Sequence, residues 1–262
     1  MTSIYEAVQA VCLGLPETDE IVSHGFPNFR VNEKIFATYS VNHHGDGKVA
    51  LLLNIGREMQ QVLVESAPAI FFVPPYTGPK GWVGIELNQR LKWSRVSQLA
   101  FDAWSRLAPT SLARGSAAVP AVEPDEEMRP EDINPMLSAA NQALLSKIRE
   151  ICMALPEVTE DKQFGDPCFR AGKKTFCVVG VRNRDKTRTY LQFWVGPDRQ
   201  SQLTSFDKRF SIPPYIGHRG WIDLTLNTKS KMTEVSELLM ISYRHFALKR
   251  MLKALGDEGD SE

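Results

Sequence analysis

The sequence lacks the features that mark membrane, secreted and zinc-stabilised proteins. Its longest apolar stretch, residues 67–75, is far shorter than the ~20 residues that span a bilayer. The first residues lack the basic start and continuous apolar core of a secretion signal. The four cysteines, Cys12, Cys152, Cys168 and Cys177, include no Cys-x-x-Cys pair and do not combine with the 5 histidines at zinc-ligand spacing. We therefore expect a cytoplasmic protein without a disulfide framework, metal or other cofactor.

The chain has no net charge, but its charges are unevenly distributed. Residues 1–109 hold 9 Lys/Arg and 10 Asp/Glu, residues 110–140 hold 2 and 6, and residues 141–253 hold 20 and 11. The last nine residues add four acids and no base. A basic second half favours a polyanionic partner such as DNA, although surface composition alone also produces such asymmetry.

The two halves of the chain repeat one pattern. Leu-Pro-Glu at 15–17 aligns with 155–157, and Gly-Phe-Pro-Asn-Phe-Arg at 25–30 aligns with Gly-Asp-Pro-Cys-Phe-Arg at 165–170. Copy two is one residue shorter before the next motif. There the alignment joins Pro-Pro-Tyr-Thr-Gly-Pro-Lys-Gly-Trp at 74–82 to Pro-Pro-Tyr-Ile-Gly-His-Arg-Gly-Trp at 213–221. Ordered matches of Gly, Pro, Tyr and Trp indicate a tandem duplication. The predicted domains are 1–109 and 136–254.

The segment between the copies, 110–135, is rich in Ala, Pro, Ser and acids and has no sustained apolar period. Such a composition buries too little apolar surface to offset its ordering entropy. We therefore predict an acidic linker at 110–135 and an acidic tail at 255–262.

Hydrophobic spacing predicts a two-layer α+β domain with an antiparallel sheet in each copy. Apolar residues at helical spacing, such as Tyr5, Val8 and Val11, predict an opening helix that ends before Leu-Pro-Glu. The predicted order is α-β-β-β-α-β-α, with or without a short strand before Pro-Pro-Tyr.

A hairpin with a two-residue loop is predicted in each copy, with Asn-Glu at 32–33 and Gly-Lys at 172–173 in the loop. This register places Phe29 opposite Phe36 as a core-facing pair, and likewise Phe169 opposite Phe176. It also places Cys168 opposite Cys177, which we expect to remain reduced thiols.

Taken in order, these motifs resemble the MmcQ/YjbR family. The resemblance rests on Leu-Pro-Glu, Gly-x-Pro-x-Phe-Arg, Lys-x-Phe, Pro-Pro-Tyr-x-Gly-x-Arg-Gly-Trp and a closing Ser-Tyr-Arg helix, and it covers residues 5–109 and 145–251. It implies a compact α+β fold, described as a DNA-binding module, with no established reaction, cofactor or catalytic residue. Copy one departs from the pattern at Pro79 and at Ala103–Arg106, which makes a surface role less expected there.

The Pro-Pro-Tyr loop combines a phenol, a cation and an indole with two glycines. A cation could hold a phosphate while the indole stacks on a base. The architectural alternative is that Pro and Gly set a sharp bend and the aromatic side chains plug one edge of the core. The predicted contacts are Tyr215, His218, Arg219 and Trp221, with Arg30, Tyr76, Lys80 and Trp82 as secondary candidates in copy one.

A cluster of cations is predicted around the hairpin and the following loop of copy two. Such a hairpin could lie along a phosphate backbone, or it is simply a solvated surface feature. The residues are Arg170, Lys173, Lys174, Arg182, Arg184, Lys186 and Arg188.

No catalytic constellation is apparent. His24, His43 and His44 have no positioned partner in the sequence, and no nucleophile–base pair can be argued. The first hypothesis is therefore a non-enzymatic nucleic-acid-binding protein whose basic second domain contacts phosphates. The alternatives are a protein-binding or chaperone-like adaptor, and a binder of a small anionic ligand at the Pro-Pro-Tyr loop. The oligomeric state is not predicted.

Overall fold

The fold is described from a computed structural model, which describes residues 1–181 and 188–256. The chain divides into two compact units, Met1–Ile133 and Asn134–Glu262. Within the described residues, no helix has both the length and the apolar character needed to cross a membrane. Nor do the described residues contain a group of three or more His, Cys, Asp or Glu side chains able to hold a metal ion.

The first unit is an antiparallel six-stranded sheet with helices, in the strand order β1-β2-β3-β4-β6-β5. Its elements are α1 (Ile4–Leu13), β1 (Thr18–Ser23), β2 (Phe26–Val31), β3 (Lys34–Val41), β4 (Val49–Asn54), α2 (Arg57–Ser66), β5 (Phe71–Phe72), β6 (Trp82–Glu86), α3 (Trp93–Ser105), α4 (Thr110–Ala113) and α5 (Pro130–Ile133).

The second unit repeats this architecture, with the strand order β11-β12-β10-β9-β8-β7. Its elements are α6 (Ala139–Met153), β7 (Val158–Gln163), β8 (Asp166–Ala171), β9 (Lys174–Val181), β10 (Thr189–Trp194), α7 (Pro197–Phe206), β11 (Phe210–Ser211), β12 (Trp221–Leu226), α8 (Met232–Phe246) and α9 (Lys249–Ala254). The predicted α+β class and the tandem duplication are confirmed.

Each core lies between the sheet and two helices, α1 and α3 in the first unit and α6 and α8 in the second. Alternation along the last strand places Val83 and Ile85 in the first core, and Ile222 and Leu224 in the second, all at most 1% exposed. Ser3 begins α1 with a capping box, since its hydroxyl accepts from the Glu6 amide and the Glu6 carboxylate accepts from the Ser3 amide.

The predicted strand order omits an edge strand in each unit. Strands β1 and β7 have the polar sequences Thr-Asp-Glu-Ile-Val-Ser and Val-Thr-Glu-Asp-Lys-Gln. They lie at the sheet edge and pair only with β2 and β8. An edge strand needs little apolar alternation, so the hydrophobic pattern does not reveal it. The optional short strand before Pro-Pro-Tyr is present in both units as β5 and β11.

The predicted hairpin loops are confirmed, but the strand register is not. A β-bulge after Phe29 pairs this residue with Ala37, and the equivalent bulge pairs Phe169 with Cys177. The predicted opposition of Phe29 to Phe36 and of Phe169 to Phe176 is therefore wrong, although all four rings are fully buried. An extra residue in one strand shifts every pair beyond it, and the turn sequence does not reveal this shift.

Cys168 does not face Cys177 as predicted. Cys168 lies opposite Val178, whereas Cys177 lies opposite Phe169. Because neighbouring residues of a strand point to opposite faces, the two thiols lie on opposite sides of the sheet. All four cysteines are free and buried. Burial, with Cys152 as a hydrogen-bond partner, raises the pKa of the Cys177 thiol and keeps it protonated.

The segment predicted as a linker, 110–135, is largely part of the first unit. Leu112, Val119 and Met128 pack against its core, and Ile133 is only 8% exposed. Asn88 fixes the segment with two hydrogen bonds, donating to the Met128 carbonyl at 2.9 Å and accepting from its amide at 2.6 Å. The apolar residues of this segment pack on the core one by one, without the regular spacing of a helix or strand. A segment that lacks such spacing can therefore still be part of a folded unit.

Helices α3 and α8 are each held to the Leu-Pro-Glu turn of their unit by a different aromatic side chain. Trp104 donates its indole N–H to the Pro16 carbonyl at 3.2 Å. Tyr243, at the equivalent position, donates its hydroxyl to the Pro156 carbonyl at 2.8 Å. Both side chains are fully buried. The departure of copy one from the Ser-Tyr-Arg pattern thus preserves this contact.

The carboxyl group of Asp166, at the start of β8, is half-buried in the second sheet. Burial raises its pKa to about 6, and the Tyr190 hydroxyl, which donates to it at 3.1 Å, only partly opposes this. Gly180 leaves room for both groups, because a Cβ there would lie 2.6 Å from each oxygen. Ionisation of this carboxyl group therefore disfavours the folded state.

We expect Asp166→Asn to stabilise the second unit at pH 7 by about 2 kcal/mol, since two pKa units correspond to ~2.7 kcal/mol before screening by solvent. An acid whose folded pKa is raised contributes its stability fully below its unfolded pKa, and this contribution is lost as the pH rises toward 6. The difference between variant and wild type should therefore vanish below pH 4. Urea unfolding at several pH values measures it, and a difference that does not depend on pH would contradict this assignment.

Candidate nucleic-acid interface

The Pro-Pro-Tyr loop of each unit forms a tight turn that ends in a short 3-10 helix, Gly78–Lys80 or Gly217–Arg219. The Gly217 amide donates to the Pro213 carbonyl at 3.2 Å, and the Gly78 amide donates to the Pro74 carbonyl at 2.9 Å. A Cβ on Gly217 would lie 2.3 Å from the Ile212 side chain. The architectural role predicted for the prolines and glycines is thus visible in both units.

The tyrosine of the loop does not plug the core, contrary to the architectural alternative. Tyr215 is 92% exposed and Tyr76 is 72% exposed. Both have a left-handed backbone, with φ of 67° and 63°. A bulky residue in this conformation carries about 1–3 kcal/mol of strain, which a glycine would avoid. A strained tyrosine held in solvent at the same place in both units points to a use for its ring.

The loop is fixed to the helix that follows β10 by a close backbone contact. The Gly220 carbonyl accepts from the amides of Val195 and Gly196 at 3.0 and 3.2 Å. Gly220 has a φ of 84°, and a Cβ on it would lie 2.8 Å from the Gly196 Cα. Only glycine fits at this crossing, which repeats at Gly81 and Gly56 in the first unit.

A glutamine that the sequence analysis did not single out anchors the same loop. The Gln200 side-chain amide donates to the carbonyls of Gly217 and Trp221 at 2.7 and 2.5 Å. In the first unit, Gln60 donates to the Gly78 carbonyl at 2.9 Å and to the Trp82 carbonyl. The two glutamines align in the repeat, and a shared polar residue on an otherwise variable helix is a sequence signal that would have identified them.

The indole of the loop belongs to an aromatic cluster specific to the second unit. Trp221 packs on Phe246 with ring centroids 5.6 Å apart, and Trp194 stacks on His245 at 3.5 Å and 10°. The Trp194 indole N–H donates to the Arg219 carbonyl at 2.9 Å, which links the cluster to the loop. Burial lowers the pKa of His245 and favours its neutral form.

Five cationic or titratable side chains lie at one end of the second sheet. Trp194 pairs with Trp221, while Phe193, one residue earlier, pairs with Cys177 near the start of β9. The Pro-Pro-Tyr loop and the β8–β9 hairpin therefore share an end of the sheet, about 10 Å apart across two strand spacings. Leu248 approaches the hairpin at Gly172, which brings Lys249 to the same end. We call this exposed surface the basic end: Lys173, Lys174, His218, Arg219 and Lys249.

The described cations of the predicted cluster are not all brought together. Lys174 begins β9, and Val181 ends it at the far end of the sheet, about 24 Å away at ~3.4 Å per residue. Arg188, exposed just before β10, lies at that far end. Arg182, Arg184 and Lys186 lie outside the described residues.

Arg170 is not on the basic end but on strand β8, half-buried and paired with Asp161 at 3.1 Å. Its counterpart Arg30 is similarly engaged by Asp19, with a Nε–Oδ1 distance of 3.0 Å. A guanidinium held by a carboxylate is less available to a phosphate. These two predicted contacts are therefore structural ion pairs in the unbound protein.

The first-unit loop has a different environment. Lys80 is exposed and Trp82 half-buried, as at Arg219 and Trp221. Tyr76, however, faces His44 at 5.7 Å and His43 at 6.5 Å between ring centroids. Burial and the neighbouring His44 lower the pKa of His43, which favours the neutral form of His43 near pH 7. The first unit thus presents Tyr76 within an aromatic patch that the second-unit loop does not share.

Comparison with known proteins identifies the family to which this chain belongs. No curated protein matches the chain significantly. The crystal structure of Deinococcus radiodurans protein DR2400, described as a DUF419 domain, is similar at 22% identity and a TM-score of 0.35, covering 45% of this chain and 94% of that chain. A model of the YjbR family matches residues 13–106 and, a second time, residues 153–245. The chain therefore belongs to the YjbR family and contains two tandem copies of its domain.

Proposed function

We propose that the protein is a non-enzymatic binder of nucleic acid and that the basic end of the second unit forms the contact, with a preference for unpaired strands. The observation that carries this proposal is the exposed, strained Tyr215 beside Arg219. An exposed ring stacks on an unpaired base, and a cation beside it contacts the adjoining phosphate.

The charges of the basic end support this assignment. Within the described residues, none of Lys173, Lys174 and Lys249 forms an ion pair. The nearby Glu157 is engaged by Arg250 at 2.6 Å, which reduces its repulsion of a phosphate. The aromatic cluster behind the loop fixes the position of Arg219 through its carbonyl group. Several exposed cations near an exposed ring favour a polyanion with stacking bases over a compact anion.

Fluorescence anisotropy of a labelled single-stranded oligonucleotide and of the matching duplex tests the proposal at two salt concentrations. We expect the single strand to bind more tightly, and three phosphate contacts predict a slope of about −2 for log K against log salt. The variant Lys173→Glu/Lys174→Glu/Arg219→Glu should weaken binding at least 100-fold. Tyr215→Ala should weaken it about 10-fold, since stacking contributes ~1–3 kcal/mol per base.

The first unit supplies a control. Lys34 and Lys80 occupy the positions of Lys174 and Arg219, whereas Glu33 stands at the position of Lys173. Lys34→Glu/Lys80→Glu should therefore leave the affinity within about twofold, and Lys174→Glu/Arg219→Glu is the second-unit variant with the same charge change. Saturable binding that the second-unit variant leaves unchanged, or no binding at low salt, contradicts the proposal. Binding of a protein partner that does not depend on salt would instead favour the adaptor hypothesis.

A further inference from the structure

The first unit contains a cavity that lies apart from its Pro-Pro-Tyr loop. It has a volume of about 360 Å³, within the range of small-ligand sites. Its floor is formed by core residues of α2, β5, β6 and α3 that are at most 8% exposed: Leu63, Phe71, Ile85, Val96 and Leu99. Such a lining favours an apolar group.

The mouth of the cavity is cationic. Arg90, Lys92 and Arg95 line it, all three are exposed, and no acidic side chain is among its lining residues. Within the described part of the chain, none of the three is engaged in an ion pair. Three cations together are unusual in a unit whose residues 1–109 hold one more acid than base. An apolar floor with a cationic mouth matches a molecule with an apolar tail and an anionic head.

The second unit carries an ion pair at this place. Arg209 occupies the position of Ile70, because the Arg209 and Ile70 carbonyls accept equivalent sheet hydrogen bonds from Thr225 and Glu86. Glu234 occupies the position of Arg95 at the same offset along the repeat. The Arg209 guanidinium grips the Glu234 carboxylate in a bidentate pair, at 2.7 and 3.0 Å.

A further acid completes the site in the second unit. Asp207 accepts from the Arg209 guanidinium at 2.7 Å, and the structurally equivalent residue Ala67 carries no charge. The second unit thus supplies its own carboxylates at this position. The first unit has neither acid and carries Arg95 at the position of Glu234, so a cation stands there without a carboxylate partner among the described residues.

We infer that the cavity of the first unit binds a small amphipathic carboxylate, with its alkyl chain among Leu63, Ile85 and Leu99 and its head group at Arg95. An Arg–carboxylate pair is a charge-assisted, geometrically specific contact. Arg90 and Lys92 add attraction at the mouth. This site is independent of the nucleic-acid interface, since it involves neither the loop nor the second unit.

Isothermal titration calorimetry tests the inference. The full chain is titrated separately with octanoate, acetate and octylammonium. We expect octanoate to saturate one site per chain. Acetate lacks the apolar tail and octylammonium carries the wrong charge, so both should bind at least tenfold more weakly. Arg95→Glu should weaken octanoate binding at least tenfold, and Lys34→Glu, an equal charge change at the β2–β3 hairpin, should leave it unchanged.

The double variant Ile70→Arg/Arg95→Glu provides the sharpest comparison, because it installs the ion pair that the second unit already accommodates. We expect it to melt no lower than the wild type and to lose octanoate binding. The site is overturned if octanoate does not saturate at one per chain, or if the double variant binds it as the wild type does. The same variants should bind nucleic acid with the affinity of the wild type. A failure of the carboxylate site can therefore be distinguished from a failure of the proposed nucleic-acid function.

Discussion

Gly220→Ala is expected to lower the free energy of unfolding of the second unit by about 2–5 kcal/mol. The added Cβ would lie 2.8 Å from the Gly196 Cα, and the φ of 84° is left-handed. The conformation alone costs an alanine ~1–2 kcal/mol, and overpacking against an unyielding backbone adds ~1–3 kcal/mol. The loop and the start of α7 must separate to relieve the clash.

Urea unfolding measures this loss, and hydrogen exchange of the Val195 and Gly196 amides reports where it occurs, because both donate to the Gly220 carbonyl. Gly256→Ala is the matched control: its φ of 81° is also left-handed, but no described atom lies within 4 Å of the new Cβ. We expect it to cost only about 1 kcal/mol. Equal losses in the two variants would show that conformation, and not the crossing of the two backbones, makes Gly220 necessary.

Trp104→Ala should destabilise the first unit by about 3–5 kcal/mol, as expected for the loss of a fully buried large aromatic residue. The substitution leaves a cavity beside Phe101, whose ring centroid is 5.6 Å away, and leaves the Pro16 carbonyl without its donor. Urea unfolding followed by circular dichroism measures the change.

Trp104→Tyr tests whether the hydrogen bond to the Leu-Pro-Glu turn defines this position. The second unit already has Tyr243 here, with the equivalent bond to Pro156. We expect Trp104→Tyr to retain most of the stability and Trp104→Phe, which lacks a donor, to be about 1 kcal/mol worse than Trp104→Tyr. If Trp104→Phe were as stable as Trp104→Tyr, packing alone would explain the conservation of an aromatic donor between the units.

The repeat and the α+β class could be predicted because glycine, proline and aromatic residues mark turns and core positions in a fixed order. The helices and the alternating strand β6 could be predicted because their apolar periods are clear. Strands β1 and β7 could not, since these mostly polar edge strands show no apolar alternation. The bulge after Phe29 escaped prediction because it changes pairing without changing the hydrophobic pattern.

The candidate interface was predictable only in part. Local motifs identified Tyr215, Arg219 and Trp221. Trp194 and His245 were missed because their stacking joins a strand end to a helix end 51 residues later, and neither has a signal of its own. Clustering by sequence distance also joined Lys174 and Arg188, although an intervening strand places them at opposite ends of the sheet.

The polar edge strands also affect how a duplicated chain reaches its native state. Two domains with the same fold on one chain have a high local concentration of each other. This favours strand exchange between them during folding. The exposed edges β1 and β7 carry Asp19 and Glu20 in one unit and Glu160 and Asp161 in the other. The ion pairs Asp19–Arg30, Asp161–Arg170 and Glu160–Arg149 reduce the negative charge of these edges in the folded units. Like charges opposite each other on neighbouring strands disfavour pairing, so we expect these acids to disfavour the exchange of one edge strand for the other before the ion pairs have formed.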